Sequence, residues 1–191
     1  MKRIGITGGI GSGKSIVTQL LTIYGIPAYI ADDESKRLTN TAPAIRTALI
    51  NLFGESIYTE QGLNRQMLAS QIFNNDLILK QVNNIIHPIV ADDFNCWCTR
   101  QENSLCAVES AILFESGFNK LTDVTLMVYA PLEIRISRVL SRDHVSKESI
   151  INRIKSQMPD EEKEQLADFT IINDGKHALI PQVEKFLEQI A

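Results

Sequence analysis

The sequence predicts an α/β protein built on a parallel sheet. Three observations carry that prediction. Five short apolar runs are each bounded by turn residues, helical patterns lie between them, and a glycine-rich loop, GITGGIGSGKS at residues 5–15, joins the first run to the first helical pattern.

The runs are Arg3–Thr7, Ile26–Ile30, Leu105–Ser110, Val124–Ala130 and Phe169–Ile172. Each has strand length and little strict alternation, the pattern of strands covered on both faces. Ser15–Tyr24 reads as a helix after the first run. Ala44–Phe53, Arg65–Phe73 and a long Asp76–Arg100 segment fall between the second and third runs. Leu132–Ser141 and Lys147–Gln157 fall between the fourth and fifth, and Leu179–Ile190 closes the chain. About 75 residues separate the second and third strands, far more than a simple crossover needs. That insertion reads as helical, and is expected to cap the sheet's carboxyl edge and form half of a substrate site. No linker or repeat interrupts the 191 residues, so a single domain with helical additions is expected.

Composition narrows the function. The apolar fraction is 44%, the charged fraction 22% and the net charge −4, so no broad basic surface for nucleic acid is expected. No apolar stretch of about 18 residues predicts a membrane span. The start, MKRIGITGG, lacks the sustained apolar segment of a signal peptide. Three cysteines, Cys96, Cys98 and Cys106, form no framework and suit a reducing cytosol. Cys96 and Cys98 have no partner pair at metal-ligand spacing, and read as helix residues.

Gly8–Ser15 fits G-x-x-x-x-G-K-[ST]. Glycines allow positive φ and close backbone approach. Successive N–H groups then make an anion nest, and the helix that follows adds its positive dipole end. Gly9, Ile10, Gly11, Ser12, Gly13, Lys14, Ser15 and Ile16 are therefore the candidate nucleotide-binding residues. Lys14 would reach the β- and γ-phosphates of ATP, and the Ser15 hydroxyl would ligate Mg²⁺. A dinucleotide loop is a poorer fit: Gly9-x-Gly11-x-Gly13 lacks the G-x-G-x-x-G spacing.

A GTPase switch would carry Asn-Lys-x-Asp after a strand. The nearest match, Asn119-Lys120-Leu-Thr-Asp123, has its acid one place late and precedes a strand. A small-molecule kinase fits better than a switch or a motor. Another small phosphoryl transferase and an ATP-dependent binding module remain as alternatives.

Several further stretches occur in order: the acidic turn IADDESKRL after the second strand, N-R-x-x-L-A-x-x-I-F at 64–73, IIHP at 85–88, ILFE at 112–115, RVLSR at 138–142 and ADFTIINDG at 167–175. With ITGGIGSGKS, they make the chain resemble the dephospho-coenzyme A kinase family along essentially its whole length. The resemblance implies a three-layer P-loop kinase fold with a five-stranded parallel sheet, a helical CoA-binding insertion at about 60–100 and a helical lid at about 138–160. It implies transfer of the ATP γ-phosphoryl group to the 3′-hydroxyl of dephospho-CoA, the last step of coenzyme A synthesis. ATP and Mg²⁺ would be required, in a cytoplasmic enzyme that is a monomer or small homo-oligomer.

The resemblance also assigns residues. Asp32 would orient or deprotonate the 3′-hydroxyl; a helix N-cap is the other reading of an acid there. The family usually shows Asp-x-Asp, whereas this chain has Ile30-Ala31-Asp32 and an added neighbour, Asp33. Glu109, ending the third strand, would stand near Mg²⁺. Glu115 would order the acceptor side. For both acids a structural ion pair is equally open. The family commonly has Pro where this chain has Ala111. Arg135, Arg138 and Arg142 share one face of a helix; Arg138 and Arg142 match lid arginines that would act on the phosphoryl group, while Arg135 reads as part of a solvated face. Asn173 would lie beside the adenine, or make a plain turn with Asp174 and Gly175. Arg65 and His87 would face the CoA moiety, with a structural histidine as the alternative at His87.

Overall fold

The computed structural model describes residues 1–72, 75–143 and 145–190. The chain divides into two compact units, Met1–Ile30 with Gln101–Ala191, and Ala31–Arg100. The second unit contains the stretch of about 60–100 that the resemblance assigns to a CoA-binding insertion, and begins earlier, at Ala31.

The first unit holds the sheet. β1 (Lys2–Thr7), β2 (Ala28–Ile30), β5 (Leu105–Glu109), β6 (Val124–Tyr129) and β7 (Phe169–Ile172) form five parallel strands in the order β2-β5-β1-β6-β7. β1 is central: Ile4 lies between Ala107 of β5 and Val124 of β6. From β1 the chain goes to the edge strand β2, returns to β5 beside β1, and then crosses to β6 and β7 on the other side; the carboxyl end of β1 is the switch point where such sheets bind ligands.

Ile4, Ile6, Leu126 and Val128 point to one face, against Val17 and Leu21 of α1 (Lys14–Ile23) and Val183, Phe186 and Ile190 of α9 (Leu179–Ile190). On the other face, Leu113 packs so close to Gly5 that a Cβ there would come within 2.9 Å of it. Burial on both faces explains the unalternated apolar runs. Asp168 fixes β7 to β6, its Oδ2 accepting from the Thr125 N–H and hydroxyl, each at 2.8 Å. α6 (Leu132–Asp143) and α7 (Lys147–Lys155) form a separate pair around Ile136, Val139 and Ile150. α8 (Asp160–Leu166), between α7 and β7, is not foreseen by the sequence reading. It is short, and three acids in its first turn give it dipole support but little apolar periodicity.

The second unit is mainly helical, with α2 (Ala31–Thr41), α3 (Pro43–Phe53), α4 (Arg65–Ile72) and α5 (Asp76–Cys98). A small hairpin, β3 (Tyr58–Thr59) and β4 (Gly62–Leu63), precedes α4. Val82, Ile86, Val90, Phe94 and Cys98 recur every four residues along α5 and form its buried stripe. Pro43 starts α3 at a position where its missing N–H costs nothing. Asn64, the first residue of the N-R-x-x-L-A run, caps α4 by accepting from Met67 N–H at 3.0 Å. The far end of the helix expected over Arg65–Phe73 lies outside the described residues.

IADDESKRL is not a turn but α2 itself, beginning directly after β2. Its acids occupy the first turn, where the helix dipole favours them. Asp33 and Glu34 meet Lys36 and Arg37 three residues on, and Arg37 also reaches Asp93 at 2.8 Å. Such exposed pairs contribute only about 0.3–0.5 kcal/mol each, so α2 depends on burial of Leu38 and Thr39 rather than on its charges.

Candidate active site

The glycine loop leaves β1 at Thr7 and enters α1 at Lys14. No side chain caps α1; Gly13 stands at the cap with φ 95°, a left-handed conformation. A Cβ there would lie 2.1 Å from the Asn173 amide nitrogen, so glycine is required twice over. An uncapped helix start with its first-turn N–H groups directed outward is an anion site. Lys14 is buried, and its ammonium donates to the Gly8 carbonyl at 2.9 Å, holding the charge inside the loop.

Glu109 ends β5 level with Ile6 on one side and Ile30 on the other. The Ser15 hydroxyl donates to Glu109 Oε1 at 3.2 Å, while Oε2 is buried without a hydrogen-bond partner. Among the described residues, the other buried side-chain oxygens without one are Thr7 Oγ1, Ser12 Oγ and Thr18 Oγ1, all in or next to the loop and its helix. Buried polar atoms are normally satisfied. A hydroxyl and a carboxylate that meet at the start of this helix are donors suited to a hard divalent cation such as Mg²⁺, which takes few protein ligands and completes its shell with phosphate and water. Ser15 and Glu109 fit that ion. The acid alone gives no cluster of three protein carboxylates, histidines or cysteines among the described residues, as a phosphate-shared ion does not need one.

Asn173, just after β7, is buried, and its amide donates to the Ser12 carbonyl at 2.8 Å. Its Oδ1 accepts from Arg138 at 3.2 Å, and Arg138 also reaches the Ser12 carbonyl at 3.3 Å. Asn173 is therefore no plain turn residue. The turn chemistry belongs to Asp174, whose carboxylate accepts from the N–H groups of His177 and Lys176. Those bonds, that of His177 first, hold its pKa down to about 2.

Arg135 overturns its sequence reading. It is 3% exposed, not solvated; its Nε donates to the Ile10 carbonyl at 2.9 Å, and its guanidinium pairs with Asp160. Nothing local distinguishes it from the other arginines of α6, because its acid partner lies in α8. Arg142 is exposed and paired with neighbouring Asp143 at 2.6 Å. Ile16 is half exposed on α1. Gln157, which the sequence reading did not single out, accepts from the Ile10 N–H at 3.0 Å.

Glu115 stands in an ion pair, with Lys163 at 3.0 Å, and accepts from Met158 N–H at 2.8 Å. Lys163 has no exposed surface and also donates to the Ala111 carbonyl. Removing its carboxylate would strand a buried cation, a loss of about 3–5 kcal/mol. The Asn119–Asp123 stretch is structural: the Asp123 carboxylate accepts from Arg3 N–H at 2.7 Å.

In the second unit, Asp32 is exposed in the first turn of α2, inside the helix rather than before it. Arg65 opens α4 and, with Ser35, Lys36 and Leu68, lines a cavity of about 240 Å³. His87 is half-buried on α5, and burial lowers its pKa, keeping the ring neutral. The cysteines are free; Cys98 and Cys106 are buried and Cys96 is exposed.

A parallel sheet in this strand order, with a phosphate loop at the end of its central strand and an acid beside the loop's serine, defines a P-loop kinase. Comparison with known proteins gives the particular kind. The model of the dephospho-CoA kinase family matches residues 2–178. A dephospho-CoA kinase from Bacteroides fragilis is 50% identical over 190 residues, covering 99% of this chain and 91% of that protein. Among solved structures, one from Thermus thermophilus superposes with a TM-score of 0.84 at 34% identity, covering 99% of this chain and 95% of the other. A dephospho-CoA kinase from Campylobacter jejuni gives 0.68 at 28% identity, covering 100% and 98%. The chain belongs to the dephospho-CoA kinase family.

Proposed function

We propose that this protein transfers the γ-phosphoryl group of ATP to the 3′-hydroxyl of dephospho-CoA, forming coenzyme A and ADP. One observation carries the chemistry: Ser15 and the half-satisfied Glu109 meet beside an uncapped helix start that follows the glycine loop. Family membership supplies the acceptor.

In this reading the loop amides and Lys14 hold the β- and γ-phosphates. Bound at Ser15 and Glu109, Mg²⁺ supplies neutralisation of the charge that develops on the phosphate oxygens. Asp32, the second residue after β2, accepts the 3′-hydroxyl proton as that oxygen attacks phosphorus in line with the departing ADP. Arg138 is the arginine supported as a phosphoryl ligand, since it already lies against the Ser12 carbonyl; Arg142 would have to leave Asp143 to join it. Asn173 acts through the loop, and the family resemblance puts it beside the adenine. Arg65 and His87 serve the CoA side, Arg65 by charge and His87 as a neutral donor or acceptor. The α6–α7 pair acts as the lid. Free cysteines support a reducing, cytoplasmic setting, and no described helix is long and apolar enough to cross a membrane. A monomer or small homo-oligomer suffices for this chemistry.

The test is to incubate the purified protein with ATP, Mg²⁺ and dephospho-CoA and to weigh the product. Coenzyme A, formed only with Mg²⁺ present, is the expected result. ATP binding without any coenzyme A would discard the acceptor.

A further inference from the structure

Ile10, at the apex of the phosphate loop, is held on three sides by the segment 135–157. Its carbonyl accepts from Arg135 Nε at 2.9 Å, and its N–H donates to Gln157 Oε1 at 3.0 Å. Its side chain packs on the apolar cluster of Ile136, Val139 and Ile150 between α6 and α7. Arg135 is itself fixed by Asp160, and its guanidinium fills the space beside Gly9: a Cβ on Gly9 would lie 2.1 Å from Nη2 and 2.3 Å from Cζ.

Neither Arg135 nor Gln157 belongs to the phosphate-loop motif. The two bonds hold the two peptide groups that flank Ile10, the 9–10 unit through its N–H and the 10–11 unit through its C=O, so that rotating either breaks a bond; such rotation is the step by which a glycine-rich loop would collapse or turn an amide away from an anion. We propose that Arg135 and Gln157 are positioning residues for phosphoryl transfer. Together they lock the two peptides on either side of Ile10, preset the loop for the triphosphate and tie it to the α6–α7 pair. On this view Gly9 is a glycine because Arg135 occupies its Cβ space, not because ATP does. The inference rests on the loop binding ATP, and not on which acceptor is used.

The experiment is ATP binding by calorimetry, run beside steady-state kinetics and thermal unfolding. Gln157→Leu removes the acceptor while preserving bulk. It is expected to weaken ATP binding about tenfold, the loss of one well-placed hydrogen bond, with the KM for dephospho-CoA and the unfolding midpoint unchanged. Unchanged ATP affinity overturns the proposal; so does a fall in midpoint with both substrates weakened alike, which is a structural effect only.

A double-mutant cycle tests Arg135. Gly9→Ala alone is expected to weaken ATP binding more than tenfold, and to add less than about threefold when Arg135→Ala is already present. Losses that multiply in full would mean that ATP itself needs Gly9, and would overturn the proposal. If Arg135→Ala does not fold because Asp160 is stranded, Gln157→Leu decides. Failure of the wild type to make coenzyme A would strike the acceptor assignment and leave this binding test standing.

Discussion

The two units present their candidate site residues in opposite ways. In the sheet-bearing unit several site residues are already buried and bonded: Lys14 to Gly8, Asn173 to Ser12 and Arg138, Arg135 to Ile10 and Asp160. In the helical unit, Asp32 and Arg65 are exposed, His87 is half-buried, and the ion pairs lie at the surface. On the proposed function, the contrast follows from what each would hold. A triphosphate is small and highly charged, and fixed dipoles serve it best because they need no reorganisation at the moment of reaction. A long acceptor is gripped by side chains that become ordered as it binds, which costs conformational entropy but tolerates exposure.

The largest expected effects would divide the two units cleanly. Lys14→Ala should lower turnover at least about a hundredfold and weaken ATP binding as well, since its ammonium is part of the anion site. Asp32→Asn should lower turnover about as much while ATP binding stays normal, because a general base acts only on the acceptor. ATP titration of both variants makes the check; weakened ATP binding in Asp32→Asn would break the division. Gly13→Ala comes next. Its φ of 95° and the Asn173 nitrogen 2.1 Å from the added Cβ should weaken ATP binding about ten- to hundredfold, with the KM for dephospho-CoA little changed.

Arg65→Ala should act on the other side, raising the KM for dephospho-CoA about tenfold without altering ATP affinity. The smallest effect concerns Asp174. Its folded pKa, about 2, lies below the ordinary 3.8, so its bonds to His177 and Lys176 stabilise the fold fully above 3.8 and less as pH falls toward 2. In Asp174→Asn, unfolding midpoints followed over that range should fall less steeply with acid than in the wild type. Equal slopes would remove Asp174 from the acid response.

The same division governs what could be read in advance. The five strands were legible because burial on both faces leaves apolar runs, and α5 because its buried residues recur every four positions. α2 was not, since its acids and lysine look like a surface turn and only Ala31, Leu38 and Thr39 are buried. Arg135 reads as a surface arginine because helix position alone cannot show an acid in α8. Nothing near Glu115 in the chain shows Lys163, 48 residues on, with which it pairs.

The sequence alone determined the phosphate loop, because its chemistry resides in the backbone of consecutive residues: glycines, one lysine and one hydroxyl suffice to specify an anion nest before any fold is known. It also determined the strand–helix alternation, which is a local periodicity. Tertiary structure decided what holds that loop in shape. Ile10 and Arg135 are 125 residues apart, and Ser12 and Asn173 are 161 apart. Bonds between such distant residues leave no spacing to read, because the folding of the sheet, not the order of the chain, brings their partners together.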